Sequence, residues 1–385
     1  MGNFRFLTAG ESHGQCLTAI VEGLPAGLKV DIDRINRDLA RRQQGYGRGG
    51  RMKIETDKAE VLSGIRFAET MGDPITLQIV NKDWQNWTDR MSVFGDECGD
   101  KVTAVRPGHA DLTGILKYNR ADARDILERA SARETAARVA VGALCKEFLK
   151  ACGIEVVSQV VKIGGIAVDE ANIDRSLIGS GNSELNCYDS MAEERMKEKI
   201  QQAIKDGDTL GGVFEVIVRG APLGLGSHIQ WDKRLDGRLA GAMMSIQAIK
   251  GVEIGAGFQC GELPGSQIHD EMFLDDENRV YRKTNRAGGL EGGMTNGEEI
   301  CIKACMKPIP TLMQPLNSVD FGSKTEVSAC KERSDVCAVS AASVVGEAMT
   351  AIVMTEAMLD KFGCDAMVDL LHGLACYRQR VQGGL

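Results

Sequence analysis

A segment rich in alanine, residues 122–149, limits the possible folds of this chain more than any other segment. Within it Leu127, Leu144 and Phe148 fall at roughly helical intervals, which predicts a helix with a buried face. The middle of that helix is narrow because its side chains are small. These residues are Ala132, Ala136, Ala137, Ala140, Gly142 and Ala143. Either a second backbone or a flat ligand can approach such a helix closely, and the sequence leaves both possibilities open.

The loop that precedes this helix carries a candidate catalytic histidine. In the sequence RPGHAD, Pro107 and Gly108 predict a tight turn that holds His109 beside Asp111. A carboxylate next to an imidazole orients the ring and biases the position of its proton, which suits proton transfer. The alternative is a histidine that only makes hydrogen bonds within its own loop.

A second candidate histidine lies near the start of the chain. The predicted strands 4–9 and 17–23 enclose the turn GESHGQ, which places Ser12 and His13 at a loop tip. Other strands are predicted at 53–64, 75–80, 154–163, 213–219 and 299–306, with helices at 32–43 and 191–205. Residues 81–102 are expected to form an exposed excursion.

Two further segments are candidates for ligand contact. The glycine-rich stretch 285–298 predicts an irregular loop, which either contacts a ligand or simply lies on the surface. Ser334 or Asp335 is expected to cap the final long helix. The start of that helix carries a partial positive charge that favours anions.

Strands that lead into polar loops, each followed by a helix of small residues, recur along the chain. Such helices are predicted at 129–149, 235–249 and 335–359. We therefore expect an α/β fold: a β-α-β sandwich with a central helical layer between antiparallel sheets, and internal pseudo-symmetry. A doubly wound parallel sheet is the alternative. No GxGxxG motif follows a strand in a βαβ context, which counts against a Rossmann domain.

Charge indicates what kind of partner the chain binds. The formal net charge of −8 argues against a general nucleic-acid binder, because affinity for phosphate backbones needs clustered positive charge. One local cluster between residues 41 and 54 nevertheless contains five cations and no carboxylate: Arg41, Arg42, Arg48, Arg51 and Lys53. Its glycines allow backbone amides and arginines to surround an anion. An anionic small molecule is the predicted partner, and a solvated basic loop is the alternative.

Targeting, membrane and metal signals are weak. The N-terminus lacks a basic segment followed by an apolar one, so no secretory signal is expected. The 12 cysteines contain no CxxC pair, so no metal site is predicted. The apolar run 336–359 is interrupted by Glu347 and Glu356, which favours a buried helix over a membrane span.

Nine motifs, taken in order, resemble those of the chorismate synthase family. They are GESHG, RRQQGYGRGGRM, RPGHAD, ERASARETAARVAVG, DTLGGV, QAIKGVEIG, NRAGGLEGGMTNG, MKPIPT and RSDVCAV. The resemblance covers essentially the whole chain, so we expect a single domain over residues 1–385. It implies an enzyme that converts 5-enolpyruvylshikimate-3-phosphate to chorismate by anti 1,4-elimination of phosphate, with reduced FMN as cofactor.

The resemblance also implies roles for particular residues. The implied catalytic residues are His13, as acid toward the departing phosphate, His109, which tunes protonation of the reduced flavin, and Asp335, which with Ser334 relays the ring proton. The implied contacts to substrate or NADPH are Ser12, Arg42, Arg48, Arg51, Arg106 and Arg133. The implied cofactor contacts are Arg129, Ala130, Ser131, Gln247, Ala248, Gly292, Lys307, Pro308, Ile309, Pro310, Thr311 and Arg333.

The same resemblance implies a cytoplasmic homotetramer, with NADPH as a possible reductant and no nucleic-acid or membrane partner. Two other functional classes compete with it. A flavin reductase would use the same flavin and basic site but consume NADPH as it turned over. A non-enzymatic anion or nucleic-acid binder would use only the basic loop at residues 41–53.

Overall fold

A computed structural model describes residues 4–49, 56–180, 183–277, 279–330, 334–363 and 365–382. The strands are β1 (Arg5–Ala9), β2 (Cys16–Glu22), β3 (Glu60–Ser63), β4 (Ile65–Arg66), β5 (Glu69–Thr70), β6 (Ile75–Val80), β7 (Glu155–Ile163), β8 (Ile166–Ala167), β9 (Gly212–Arg219), β10 (Ile249–Ile254), β11 (Met272–Leu274), β12 (Val280–Arg282), β13 (Leu290–Glu291), β14 (Met294–Thr295), β15 (Ile300–Met306), β16 (Asn317–Asp320) and β17 (Thr325–Ser328). The helices are α1 (Ile32–Gln43), α2 (Asp111–Tyr118), α3 (Arg124–Ala130), α4 (Thr135–Ala151), α5 (Ser190–Asp206), α6 (Leu235–Met244), α7 (Gly265–Ile268), α8 (Val339–Phe362) and α9 (Met367–Gln382).

Two antiparallel sheets contain most of the long strands. One has the order β1-β2-β6-β3, and the other has the order β10-β15-β9-β7-β8. In the first sheet Leu17 pairs with Ile79 and Ala19 with Leu77, and all four side chains are buried. Because side chains alternate between the two faces of a strand, this register turns every second residue toward the core. The labelled strands of the described residues pair only antiparallel, which rules out the doubly wound parallel sheet there.

Helices α4 and α8 pack directly against each other. α4 also contacts β1, β2 and β6 of the first sheet and β7 of the second, and α8 contacts β7 and β9 of the second. A Cβ atom added to Gly142 in α4 would lie 2.3 Å from the Cβ of Ala348 in α8, so no larger residue fits there without a shift. The small residues at this crossing therefore serve close helix contact.

The continuous helix predicted from residue 122 is wrong, because the chain leaves the helical conformation at Ser131. That residue is extended, with φ −61° and ψ 140°, and it separates α3 from α4. Its hydroxyl accepts a hydrogen bond from the backbone N–H of Arg133, which begins a single 3₁₀ turn. A local side-chain cap thus outweighs the helical periodicity.

The helix predicted at 235–249 ends earlier than expected, at Met244. Residues 245–248 form a turn in which Ala248 has a φ of +66°, and β10 begins at the next residue. A positive φ is incompatible with a continuing right-handed helix. This turn places Gln247 and Ala248 at the candidate active site.

The start of the last long helix also differs from the prediction. α8 begins at Val339, and its N-cap residue Ala338 makes no side-chain hydrogen bond to the helix. Asp335, one of the two expected caps, instead accepts a hydrogen bond from the backbone N–H of Gly49 at 2.6 Å. A contact with a distant loop therefore takes the place of the local cap.

The stretch 285–298 is more regular than predicted. It contains the short antiparallel hairpin of β13 and β14, in which Leu290 pairs with Thr295. The buried hydroxyl of Thr295 donates to the carbonyl of Pro222 at 2.7 Å and accepts from the N–H of Leu225 at 2.8 Å. These bonds to the segment after β9 hold the hairpin in place, so the stretch departs from the predicted irregular loop at residues 290–291 and 294–295.

The remaining predicted elements are confirmed within a few residues, with two qualifications. The strand predicted at 53–64 is limited to β3, and residues 53–55 lie outside the described residues. The excursion at 81–102 is largely exposed, but Asn81 is buried. Helix α9 and the hairpins β11–β12 and β16–β17 were not predicted.

Helix α8 is long and apolar enough to cross a membrane, yet 89% of its 18-residue apolar window is buried inside the protein. This confirms the prediction of a buried helix. Its fully buried Glu347 accepts hydrogen bonds from Arg41 at 2.7 Å and Ser158 at 2.6 Å, and it also contacts Lys146. Burial by itself raises the pKa of Glu347, but Lys146 and Arg41 outweigh it and hold the pKa below its ordinary value.

Candidate active site

A cavity of about 440 Å³ lies where α1, α4 and α8 meet several of the predicted loops. Its described lining residues are Ser12, His13, Arg42, Arg48, Gly49, Arg106, Gly108, His109, Ala110, Leu127, Ala130, Ser131, Ala132, Arg133, Thr135, Ile246, Gln247, Ala248, Met306, Lys307, Ile309, Pro310, Thr311, Ser334, Asp335, Ala338, Ala341, Ala342 and Val345. The fold thus gathers the N-terminal turn, the RPGHAD loop, the break at Ser131 and the turn before β10 around one space.

His109 is held by a carboxylate from its own loop, which confirms the predicted pairing with Asp111. Its Nδ1 lies 2.6 Å from Asp111 Oδ1, and Arg106 donates to the same carboxylate from Nε at 2.8 Å and from Nη2 at 3.0 Å. Burial by itself raises the pKa of Asp111, but the hydrogen bonds from His109 and Arg106 hold it well below its ordinary value. Arg106 Nη2 also lies 3.1 Å from the same nitrogen, but the contact with Asp111 is the shorter one. Because a carboxylate only accepts hydrogen bonds, that contact favours a proton on Nδ1 of His109.

His13 is held in a similar way, but its carboxylate comes from α3. Glu128 accepts hydrogen bonds from the His13 backbone N–H at 2.8 Å and from Nδ1 at 2.9 Å. Burial by itself raises the pKa of Glu128, yet its hydrogen bonds with His13 and the charge of Arg124 keep the pKa below its ordinary value. The ring also stacks on Trp87, with centroids 4.0 Å apart and planes inclined by 31°. The histidine is therefore fixed at one edge and on one face.

A buried pair of arginines shares one aspartate beneath the cavity. Arg42 donates to Asp57 at 2.8 Å, and Arg133 donates to both oxygens of Asp57 at 2.6 and 2.7 Å. All three residues are at most 5% exposed. Burial lowers the pKa of Arg42, and the charge of Arg133 acts in the same direction. Two guanidinium groups against one carboxylate leave a net positive charge that an anionic ligand can neutralise.

Asp335 and Lys307 join separate segments at the cavity. Arg48 Nη1 lies 3.4 Å from Asp335 Oδ2, while the other oxygen of Asp335 accepts the Gly49 N–H. Lys307 donates from Nζ to the carbonyl of Gly108 at 2.5 Å. These contacts join the loops around the cavity to the segment before α8 and to the end of β15.

The cavity is strongly cationic. Five of its described lining residues carry a positive side chain, and Asp335 is the one carboxylate among them. The cations are Arg42, Arg48, Arg106, Arg133 and Lys307. In a partly enclosed site such charges are weakly screened, and arginine forks match the geometry of phosphates and carboxylates. The site is suited to a small ligand with several negative charges.

One part of the cavity suits a flat ring system. Ala130, Ala132, Ala341 and Ala342 contribute small apolar side chains to its wall. Gln247 donates from Nε2 to Glu134 at 2.6 Å, which leaves its buried Oε1 without a hydrogen-bond partner among the described residues. A buried acceptor of this kind needs a donor, and a flavin ring carries N–H donors as well as apolar area. The residues present therefore fit reduced FMN.

Several predicted contact residues do not line the cavity. Arg129 donates instead to the carbonyls of Gly10 and Thr8, both at 2.9 Å. Gly292 lies in the tight turn between β13 and β14, with a φ of +59°. Pro308 is absent from the described lining, although its neighbours contribute to it. The predictions for Arg51 and Arg333 lie outside the described residues.

The sequence did not identify the residues that hold the side chains of the site from outside the cavity. Asp57, Asn81, Trp87 and Glu128 hold the two arginines and His13, yet none lines the cavity itself. Asn81 accepts a hydrogen bond from Arg133 Nε at 2.9 Å. These residues come from other parts of the chain, so no spacing rule points to them. Only Glu128 gave a local signal, because it lies inside one of the motifs.

The fold and the cavity together define a class: an enzyme with two carboxylate-braced histidines beside a site for a small polyanion and a flat cofactor. The family model for chorismate synthase matches residues 4–359. Chorismate synthase of Syntrophotalea carbinolica is 58% identical over 386 residues, which cover 99% of this chain and 100% of that protein. Chorismate synthase of Geobacter sulfurreducens is 56% identical over 389 residues, with 98% and 99% covered.

A solved crystal structure of chorismate synthase matches the fold with a TM-score of 0.79 and 44% identity, covering 98% of both chains. The chain therefore belongs to the chorismate synthase family. It is a lyase of the shikimate pathway that converts 5-enolpyruvylshikimate-3-phosphate to chorismate.

Proposed function

We propose that the cationic cavity is the place where this conversion occurs, with the substrate held beside reduced FMN. The substrate carries a phosphate and two carboxylates, and the five cationic side chains of the lining are the observation that supports this assignment. Arg42, Arg48, Arg106 and Arg133 bind these anionic groups, and Ser12 adds a hydrogen bond donor. Arg51 remains an expected member of the same set.

The two histidines divide the work on protons. His13, as an imidazolium protonated on both nitrogens, gives its Nε2 proton to the departing phosphate, while its Nδ1–H stays bonded to Glu128. His109 sets the protonation of the bound cofactor, because Asp111 holds it in one orientation next to Gly108 and Ala110 on the cavity wall. Asp335, with Ser334 beside it, receives the hydrogen of the substrate ring as a proton and relays it toward the cofactor.

Reduced FMN, when bound, supplies electron density to the allylic system of the substrate. The chain's own part is to bind and orient that cofactor. Gln247 offers its buried Oε1 as an acceptor, while Ala130, Ser131, Ala248, Lys307, Ile309, Pro310 and Thr311 complete the wall. Arg129, Gly292, Pro308 and Arg333 stay predicted cofactor contacts. For Arg129 that role requires its guanidinium to leave the carbonyls of Gly10 and Thr8.

Architecture and assembly form part of the same proposal. The position of α4 and α8 between the two sheets, with α4 in contact with both and α8 with the second, supports a single domain built as a β-α-β sandwich, with a helical layer between pseudo-symmetric halves. We further propose a cytoplasmic homotetramer with no nucleic-acid or membrane partner. NADPH, bound near Arg42 and Arg48, is the proposed reductant for the flavin.

An anaerobic assay tests the proposed function. The protein is incubated with 5-enolpyruvylshikimate-3-phosphate and chemically reduced FMN, and both chorismate and the flavin oxidation state are measured. The expected result is chorismate formation without net flavin oxidation. Flavin oxidation in step with turnover would instead indicate a flavin reductase. Replacing the chemical reductant by NADPH and oxidised FMN then tests the proposed reductant, for which chorismate formation is the expected outcome.

A further inference from the structure

The last turn of α3 clamps the turn that carries His13. The backbone carbonyl of Glu128 accepts the N–H of Ser12 at 3.0 Å, and its side chain accepts the backbone N–H of His13 at 2.8 Å. Next to it, Arg129 donates to the carbonyl of Gly10 at 2.9 Å. Consecutive residues of one helix therefore bind consecutive parts of the turn, and the imidazole is fixed relative to α3 before any ligand enters.

Both the edge and the face of the imidazole are constrained. Nδ1 of His13 lies 2.9 and 3.0 Å from the two oxygens of Glu128, which is 3% exposed. Trp87 covers one face of the ring at a centroid distance of 4.0 Å, and Arg124 lies 4.9 Å from the Trp87 ring. Arg124 also donates to Glu128 at 2.9 Å, which holds the carboxylate in position.

An ionised carboxylate accepts hydrogen bonds and cannot donate them. Glu128 therefore holds a proton on Nδ1. When the ring, protonated on both nitrogens, gives its Nε2 proton to a ligand, the neutral ring that remains is the tautomer with the proton on Nδ1. We propose that Glu128 is a positioning residue for the elimination, which fixes the tautomer and orientation of His13 through the hydrogen bond to Nδ1. This inference rests on the proposed role of His13 as proton donor.

The alternative is that Glu128 only neutralises Arg124 and stabilises α3. The substitution Glu128→Gln separates the two, because it keeps the shape of the side chain and gives one of its two ends donor character. If the amide nitrogen faces Nδ1, that position must lose its proton, and the neutral ring adopts the other tautomer. The opposite orientation, with the amide oxygen at Nδ1, would set the amide nitrogen against the His13 backbone N–H, two donors facing each other, so the first orientation is the expected one.

The test combines turnover with a direct reading of the tautomer. Imidazole ¹⁵N chemical shifts of His13 are recorded for the wild type and for Glu128→Gln, with His13→Ala used to assign the signals. Steady-state turnover with reduced FMN is measured for Glu128→Gln, His13→Ala and the double variant. Glu147→Gln is the matched control, since Glu147 is a mostly buried carboxylate paired with Arg34 at 3.5 Å and lies outside the cavity lining.

The expected loss of kcat for Glu128→Gln is about 10²-fold or more, since misorienting a catalytic histidine removes most of a general acid's contribution. The Nδ1 signal should lose its protonated character, and Glu128→Gln should have no additional effect in the His13→Ala background. Glu128→Asp keeps the negative charge on a shorter side chain, so it should retain the tautomer and recover part of the turnover. If Glu128→Gln does not fold, the same measurements are made on Glu128→Asp in its place.

Three results would overturn the inference: wild-type turnover in Glu128→Gln, an unchanged His13 tautomer, or an equal loss of turnover from Glu128→Gln with and without His13. A failure of the proposed function would show in a different measurement, the turnover of His13→Ala. If His13→Ala itself keeps full turnover, His13 is not the proton donor and the positioning role falls with it. In that case the ¹⁵N shifts still report whether Glu128 sets the tautomer.

Discussion

Two histidines face the same cavity, and they are braced in physically different ways. Asp111 lies two residues after His109 and shares its carboxylate with Arg106, so that brace is complete within one loop. Glu128 lies 115 residues after His13 in the chain, on α3, and it works together with Arg124 and the Trp87 ring. His109 therefore depends on a local turn, whereas His13 depends on the docking of a helix.

The two histidines are therefore sensitive to changes in different parts of the chain. A change that loosens α3 should release His13 and leave His109 in place. A change within residues 106–111 should do the reverse. The two sites also meet different chemistry, since His13 lies beside Ser12 and Trp87, whereas His109 lies beside Gly108, whose carbonyl binds Lys307.

The largest expected effect comes from removing either imidazole. General acid–base groups typically contribute about 10²–10⁴-fold to rate, so His13→Ala and His109→Ala should each lose turnover on that order. Both variants should remain folded and bind FMN, because neither ring fills the core. Turnover and thermal unfolding are measured on the same preparations. A loss of activity that merely follows the loss of folded protein would mean that the histidines serve only to hold their loops.

Arg48→Ala tests anion binding separately from proton transfer. Arg48 lies against Asp335, and its side chain is only 8% exposed. Removing a charged group that pairs with a desolvated anion costs about 2–5 kcal/mol. We therefore expect the Michaelis constant for the substrate to rise strongly, whereas the ¹⁵N shifts of both histidines should stay as in the wild type. An unchanged Michaelis constant would assign Arg48 to a solvated basic loop. Arg37→Ala, at an exposed arginine of the same helix that carries Arg42, is the control.

Much of the site could be anticipated from sequence wherever the decisive contacts are short in range. The spacing of His109 and Asp111 defined their pair, whereas the cap at Ser131 was missed because periodicity argued for a continuous helix. The pairs Arg42–Asp57 and His13–Glu128 could not be anticipated, because the packing of separate elements decides them. The helix ends at Met244 and Val339 were missed for a related reason: a positive φ at one and a long-range hydrogen bond at the other override local propensity.

The substitution Asp111→Asn tests whether the carboxylate that holds His109 also stabilises the folded protein. The carboxylate is buried and accepts from His109 and from Arg106 through both side-chain and backbone donors. Loss of its charge leaves a buried guanidinium less well compensated, which should lower the free energy of unfolding by about 1–3 kcal/mol. Urea unfolding at neutral pH measures this change. No loss of stability would show that the loop is held by contacts other than the carboxylate.

The smallest expected effect is a pH dependence of stability. The folded-state pKa values of Asp111 and Glu128 are both lowered, so each contributes stability that is fully present above the unfolded pKa values of about 3.9 and 4.3. That contribution is lost as the pH falls from there toward the lower folded values. Urea unfolding between neutral and acidic pH should show this decline, and Asp111→Asn should make it shallower. An equally steep decline in the variant would show that Asp111 does not cause the loss of stability at acidic pH.

The division of labour between the two histidines is tested most directly by the absorption spectrum of the bound reduced flavin. It is recorded without oxygen, in the presence of substrate, for the wild type, His13→Ala and His109→Ala. Because His109 is proposed to set the protonation of the cofactor, its removal should change the spectrum, whereas His13→Ala should match the wild type and slow phosphate release. Identical spectra in the two variants, or full activity in either, would contradict this account.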